Sequence, residues 1–238
     1  MSLFTPLTET KINLINLKKI KLNISKYSPH PKRVKIIAVT KNLSYAAIKS
    51  AENNNIFNIG ENKVQETKEK TTNKKINKKT KIHLIGHLQS NKTNLAVKIY
   101  NVIESIDSLK ILNKVNNSAQ KIKKEQKVFL QLNISNAKTQ TGFTLDKIKE
   151  AAISAEQLSN IKVIGIMSIG EHTTNTNHIK EGFIKAHNIQ KNIFKTINPL
   201  CINLSLGMSQ DYILALKAGS TQIRIGTALF QRKNDSYN

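Results

Sequence analysis

The sequence predicts an α/β fold, a single (β/α)8 barrel, over its 238 residues. Three observations predict it. Short runs rich in Val and Ile recur along the chain, longer segments with helical apolar spacing separate them, and polar residues and glycines gather just after the short runs. Strand–helix alternation implies a parallel sheet covered by helices. About eight such units in one chain fit a closed barrel. An open doubly wound sheet is the alternative. The length suits one domain, residues 1–238, large enough to bury a sizeable core.

The elements follow in order. Residues 8–24 read as an amphipathic opening helix, with Leu14, Leu17, Ile20 and Ile24 at helical spacing and Ile12 and Ile15 widening the stripe. Eight apolar runs then read as strands: Val34–Val39, Ile56–Ile59, Ile82–Ile85, Val102–Ile106, Val128–Leu132, Val163–Met167, Ile202–Leu204 and Gln222–Ile225. Helical spacing lies between them, as in Tyr45-Ile48-Ala51, Leu109-Leu112-Val115 and Ile179-Phe183-Ala186-Ile189. Residues 68–81, rich in Lys, Thr and Asn, read as a frayed helix end and a solvated loop. Asn136–Thr141 and Glu171–Asn177 read as further polar loops, and residues 232–238 as a short polar tail.

Composition excludes several classes of function. One cysteine, Cys201, permits no internal disulfide and suits a reducing compartment. Its apolar setting makes it a core thiol rather than a nucleophile. No apolar stretch approaches a membrane span, and the N-terminus lacks a secretory signal pattern. The expected location is the cytoplasm. The net charge of +23 suggests a polyanion partner. Yet Lys, Asn and Ile are abundant together, and arginine stands only at 33, 224 and 232. Nucleic-acid surfaces favour Arg for bidentate contacts, so an A/T-rich coding bias explains the charge better than a specific nucleic-acid partner.

In a parallel barrel, functional groups gather at the C-terminal ends of the strands. Here those ends carry Thr40-Lys41, Gly60-Glu61-Asn62, Gly86-His87, Asp107, Asn133, Ser168, Ser205-Leu206-Gly207-Met208-Ser209 and Gly226-Thr227. Singly, each has an ordinary reading. Asp107 and Asn133 suit helix caps, Gly60 and Gly86 suit turns, and His87 suits a hydrogen-bonded structural role, since no partner ligands sit at a metal-site spacing. Their coincidence on one face is what points to a site. Lys41 ends a core strand, where partial desolvation would make its amine a nucleophile toward carbonyls. The hydroxyls and glycines at 205–209 and 226–227 suit a phosphate. Arg224 lies inside an apolar strand, so its guanidinium should enter the barrel, where it needs a partner or a ligand. Lysine, phosphate cradle and inward arginine together suggest pyridoxal 5′-phosphate (PLP).

Several segments carry a family resemblance. They include Ile37-Ala38-Val39-Thr40-Lys41, Gly60-Glu61-Asn62-Lys63-Val64-Gln65-Glu66, the run from His83 to Lys92, Leu204–Asp211, and Arg224-Ile225-Gly226-Thr227. Across nearly its whole length the chain resembles the YggS/PROSC family, the pyridoxal phosphate homeostasis proteins. The resemblance implies a barrel like the N-terminal domain of alanine racemase. It implies that Lys41 holds PLP as a covalent internal aldimine, that Arg224 meets the pyridine nitrogen, and that Ser205, Ser209, Gly226 and Thr227 surround the phosphate, with Asn62 beside the cofactor. Three positions depart from the family pattern: Lys63 follows Gly-Glu-Asn where an aromatic is common, Leu206 replaces a methionine, and Gln231 replaces a glycine.

The expected function is non-catalytic: PLP buffering or delivery within vitamin B6 homeostasis, affecting amino-acid balance. Arginine at the pyridine nitrogen disfavours ring protonation and weakens the electron sink. A racemase, the alternative, needs an acid/base group on each face of the substrate carbon, and no residues are left for the additional domain that helps alanine racemase recruit its second base. The expected partners are PLP and PLP-dependent apoenzymes, with neither specific nucleic acid nor membrane. The expected state is a monomer or weak dimer without a metal.

Overall fold

The computed structural model describes residues 10–135, 140–170 and 173–230. Eight short strands follow one another around a closed parallel barrel. They are β1 (Lys35–Val39), β2 (Asn58–Glu61), β3 (Lys81–Leu84), β4 (Val102–Ile106), β5 (Gln126–Leu132), β6 (Ile161–Ser168), β7 (Asn203–Ser205) and β8 (Gln222–Ile225). β1 closes the ring by pairing with both β2 and β8, placing Ala38 opposite Ile59 on one side and Ile225 on the other. Parallel neighbours need crossovers, and seven helices supply them: α2 (Tyr45–Asn53), α3 (Val64–Thr71), α4 (Thr93–Ile99), α5 (Leu109–Gln120), α6 (Lys147–Glu156), α7 (Thr176–Thr196) and α8 (Tyr212–Lys217). The barrel is closed, so the open-sheet alternative is set aside.

Alternation along the strands assigns their two faces. Ala38, Ile59, Ile223 and Ile225 belong to one outer apolar cluster with side chains of α2, α8 and the opening helix α1 (Leu14–Tyr27). Ile82, Leu84, Val128, Leu130 and Leu204 belong to a second, larger one. Ile37, Asn58, Gly60, His83, Phe129, Ser205 and Arg224 therefore face the interior. Phe129, with Val102 and Met167, forms a separate small cluster there. Gly60 is consequently a strand residue rather than a turn glycine: a β-carbon would lie 2.9 Å from Ile37 Cγ2.

The opening helix starts later than its apolar spacing suggests. α1 spans Leu14–Tyr27, and Asn13 caps it, its side chain accepting from the Asn16 amide. Ile12 instead makes a bridge to Phe230. Leu17, Ile20 and Ile24 are buried, but Leu14 and Ile15 are 64% and 81% exposed, so they do not belong to the packing stripe. Residues 8 and 9, 136–139, 171–172 and the tail from 231 lie outside the described residues. Of the loop expected at 171–177, residues from Thr176 onward begin α7, capped by Asn175. The polar stretch 72–80 is tied down by Glu52, whose Oε1 accepts from the Asn77 amide and the Thr80 hydroxyl at 2.8 Å each. Cys201 is fully buried, and burial pushes its thiol up to about 12.

Candidate functional site

β1 delivers Lys41 to the C-terminal mouth of the barrel. Lys41 follows Ile37 and Val39 in inward phase, two residues past the end of the strand at the start of a turn. The side chain is exposed there, so protein packing alone does not provide the desolvation expected from its position. It lines a pocket with Val39, Asn42, Leu43, Gly226, Thr227 and Phe230. Pairing between β1 and β8 brings these two strand ends together. Ser209 borders the same loop, its hydroxyl accepting from the Ala228 amide at 3.2 Å. The turn before Ser209 needs glycine: Gly207 has φ +87°, and a β-carbon there would lie 2.5 Å from Ala215 Cβ. Asp211 braces this turn, accepting from the Met208 amide.

Beneath the mouth lies a buried polar chain. Arg224 donates through Nη1 to the Ser205 carbonyl (2.8 Å) and hydroxyl (2.9 Å), and through Nη2 to the Ser168 carbonyl (2.8 Å). The Ser205 hydroxyl donates to Glu104 Oε2 at 2.6 Å. Glu104 Oε1 meets His83 Nδ1 at 2.7 Å, and His83 Nε2 lies 3.3 Å from Asn58 Oδ1. Burial alone would push the Glu104 carboxyl up. The His83 contact, the Arg224 charge and the Ser205 hydrogen bond outweigh it and hold the carboxyl below the ordinary range. Burial disfavours the charged form of Arg224, opposed by Glu104 and Asp211.

The structure thus brings Lys41, Gly226, Thr227 and Ser209 together, and places Arg224 below them. Ser205 belongs with Arg224 and Glu104 in the interior rather than with the Gly226–Thr227 loop. Asn62 ends up beside Gly86, where a β-carbon would lie 2.4 Å from the Asn62 carbonyl oxygen. That close approach, rather than a turn, is why residue 86 is glycine. Asn62 Oδ1 is buried without a hydrogen-bond partner. His87 is hydrogen-bonded as expected, its Nδ1 lying 2.9 Å from Asp107 Oδ2, at an exposed position. Asp107 does not cap α5; Ser108 does, accepting from the Ile111 amide. Asn133 caps no helix either, and donates to the Gln140 carbonyl across its loop.

Sequence reasoning passed over Glu104, His83, Lys70 and Glu66. A signal for Glu104 was present: a carboxylate inside Val-Ile-Glu-Ser-Ile is as anomalous as Arg224 inside its strand, with the opposite sign. No cluster of three or more His, Cys, Asp or Glu suited to a metal occurs among the described residues, and none of their helices is long and apolar enough to cross a membrane.

A family described as alanine racemase, N-terminal domain, matches residues 15–233. A pyridoxal phosphate homeostasis protein of Haemophilus influenzae is 32% identical over 229 residues, covering 94% of this chain and 95% of its own. The chain belongs to the pyridoxal phosphate homeostasis protein family. The corresponding protein of Buchnera aphidicola is 34% identical, over 92% of this chain and 97% of its own. PipY of Synechococcus elongatus superposes with a TM-score of 0.83 without PLP and 0.78 with PLP bound, at 28% identity, over 91% of this chain and 99% of PipY. An alanine racemase of Clostridium difficile shares the fold, with a TM-score of 0.72 at 19% identity, over 94% of this chain and 58% of the racemase chain.

Proposed function

We propose that this protein binds pyridoxal 5′-phosphate at the barrel mouth, covalently through Lys41, and buffers or delivers it without catalysing a reaction on it. The observation that carries the reading is the single pocket shared by Lys41, Gly226 and Thr227, set above the buried guanidinium of Arg224. An amine, a loop of hydroxyl and glycine, and a pinned cation suit the aldehyde, the phosphate and the ring nitrogen of this cofactor in turn. The orphaned Asn62 Oδ1 supports the fit, since a buried acceptor without a donor is costly unless a ligand satisfies it. PipY, which binds PLP, and the relatives, which are pyridoxal phosphate homeostasis proteins, support the choice of cofactor.

When bound, the cofactor supplies a reactive aldehyde that the protein keeps from side reactions. Lys41 holds it, Ser209, Gly226 and Thr227 would hold its phosphate, and Arg224 would face the ring nitrogen. In this reading Ser205 orients Arg224 instead of touching phosphate. The carrier role fits the pocket lining, where Lys41 is the one titratable side chain. Racemization would need a second acid/base group. The acceptors implied are PLP-dependent apoenzymes in the cytoplasm, reached from a monomer or weak dimer.

The test is spectroscopic. Purified protein given PLP should develop the visible absorbance of a lysine-bound cofactor, and borohydride should fix the label on Lys41. Protein that stays colourless, or carries the label on another lysine, would overturn the assignment. Robust formation of D-amino acids from L-amino acids, lost in Lys41→Ala, would overturn the carrier role.

A further inference from the structure

The turn that presents Lys41 is gripped by three side chains of the neighbouring β2–α3 unit. Glu61, the last residue of β2, accepts from the Thr40 hydroxyl at 2.5 Å. Lys70 reaches back from α3 and donates to the Thr40 carbonyl at 2.8 Å and to Glu61 Oε1 at 2.7 Å. Glu66, in the first turn of α3, accepts from the Asn42 amide at 2.9 Å and lies 3.5 Å from Lys70. Both peptide neighbours of Lys41 are therefore held from outside their own strand. The turn passes through the left-handed region at Asn42, φ +60°, a conformation that asparagine tolerates better than most residues with a β-carbon.

Stability alone is a poor reason for this cluster. The Lys70 and Glu61 side chains are only 6% and 0% exposed, yet Glu61 Oε2 has no hydrogen-bond partner. A buried ion pair with an unsatisfied oxygen contributes little net stability, because desolvation offsets the attraction. Burial pushes the Glu61 carboxyl up, even against the nearby Lys70 charge. What the arrangement does provide is position. It fixes the backbone on both sides of a single exposed, flexible lysine, and so limits where its amine can be.

We propose that Glu61, Glu66 and Lys70 form a latch on the Thr40–Leu43 turn, holding the Lys41 amine in place for its carbonyl ligand and so setting how long the protein retains that ligand. These three are positioning residues, acting through the turn rather than on the cofactor. The proposal rests on the Lys41 reading above, but half of its test does not. In the protein without cofactor, amide hydrogen exchange at Asn42 should quicken about tenfold in Glu66→Ala, the effect of losing a hydrogen bond to a charged acceptor. Glu66→Gln keeps an accepting oxygen and should restore most of the protection. In the loaded protein, Glu66→Ala and Lys70→Met should raise the rate of pyridoxal phosphate loss severalfold, read as decay of the bound-cofactor absorbance in the presence of a trapping amine. Glu66→Gln should again lie near wild type. Melting temperatures without cofactor separate the latch from general damage, and Glu66, the more exposed of the acids, keeps the test open should Lys70→Met fold badly. Faster exchange at Asn42 with an unchanged rate of cofactor loss in Glu66→Ala would overturn the proposal, as would unchanged exchange. A wild-type protein that takes up no cofactor would instead defeat the Lys41 reading, with the exchange result still judging the latch.

Discussion

Removing the Glu104 carboxylate should destabilise the barrel far more than a usual single substitution. Glu104 is fully buried, accepts from the Ser205 hydroxyl, contacts His83, and supplies negative charge to a buried Arg224. Deleting one partner of a buried charge pair costs about 3–5 kcal/mol, because the other charge is left uncompensated. For a chain of this size, each kcal/mol shifts Tm by about 2–4 °C. Glu104→Ala should therefore lower Tm by about 6–20 °C, multiplying one range by the other. Glu104→Gln keeps an oxygen for the Ser205 hydroxyl and removes only the charge, so its loss should be smaller, and the difference separates hydrogen bonding from charge. The sign of the pH dependence also follows. A carboxyl held below its ordinary range stabilises the fold above its unfolded pKa, and that stabilisation is lost as pH falls through the folded value. The acid side of the stability curve should flatten in Glu104→Gln. Thermal unfolding without cofactor, repeated from pH 7 down to about pH 3, below the ordinary Glu value, reads both effects. A Glu104→Ala protein melting within about 2 °C of wild type, less than 1 kcal/mol, would refute the claim that this carboxylate neutralises Arg224.

Other outcomes follow from the same geometry. Gly86→Ala should cost both stability and cofactor retention, because its methyl would collide with the Asn62 backbone, whereas Gly60→Ala meets side-chain tips and should cost about 1–3 kcal/mol of stability with little effect on retention; equal losses of retention would count against Asn62 as a ligand. Cys201 should resist alkylation near pH 8 in the native protein and react on unfolding, as its burial and raised pKa require; fast native labelling would contradict its placement. Glu61 behaves oppositely to Glu104: a raised folded pKa means that ionising it costs stability as pH rises from the unfolded toward the folded value, so Glu61→Gln should lose this cost and show a shallower slope there.

The fold was legible because strand–helix alternation survives a heavy lysine bias. Val102–Ile106 and Gln222–Ile225 were bounded correctly, since apolar β-branched runs end where their burial ends. The opening helix was not, because Ile12, Leu14 and Ile15 fit a helical period while a bridge to Phe230 and plain exposure claim them instead. At the site, Arg224 could be read as inward from alternation alone. Its partners could not, because Ser168, Ser205 and Glu104 come from three other strands, and no local pattern says which strands meet. The latch was hidden for the same reason: Glu66 and Lys70 look like an ordinary exposed i,i+4 pair until the Lys41 turn is laid against them.

The chain of contacts from Asn58 through His83, Glu104 and Ser205 to Arg224 draws on β2, β3, β4, β7 and β8, residues separated by most of the sequence. It is a lock that closes only when the last strand arrives. A nascent barrel lacking β8 would leave the Glu104 carboxylate without the Arg224 charge, and one lacking β4 would leave Arg224 without the Glu104 charge. Half-barrels of this protein should therefore gain little by folding early, and the final strand should commit the whole ring at once, slowly, as its distant contacts require.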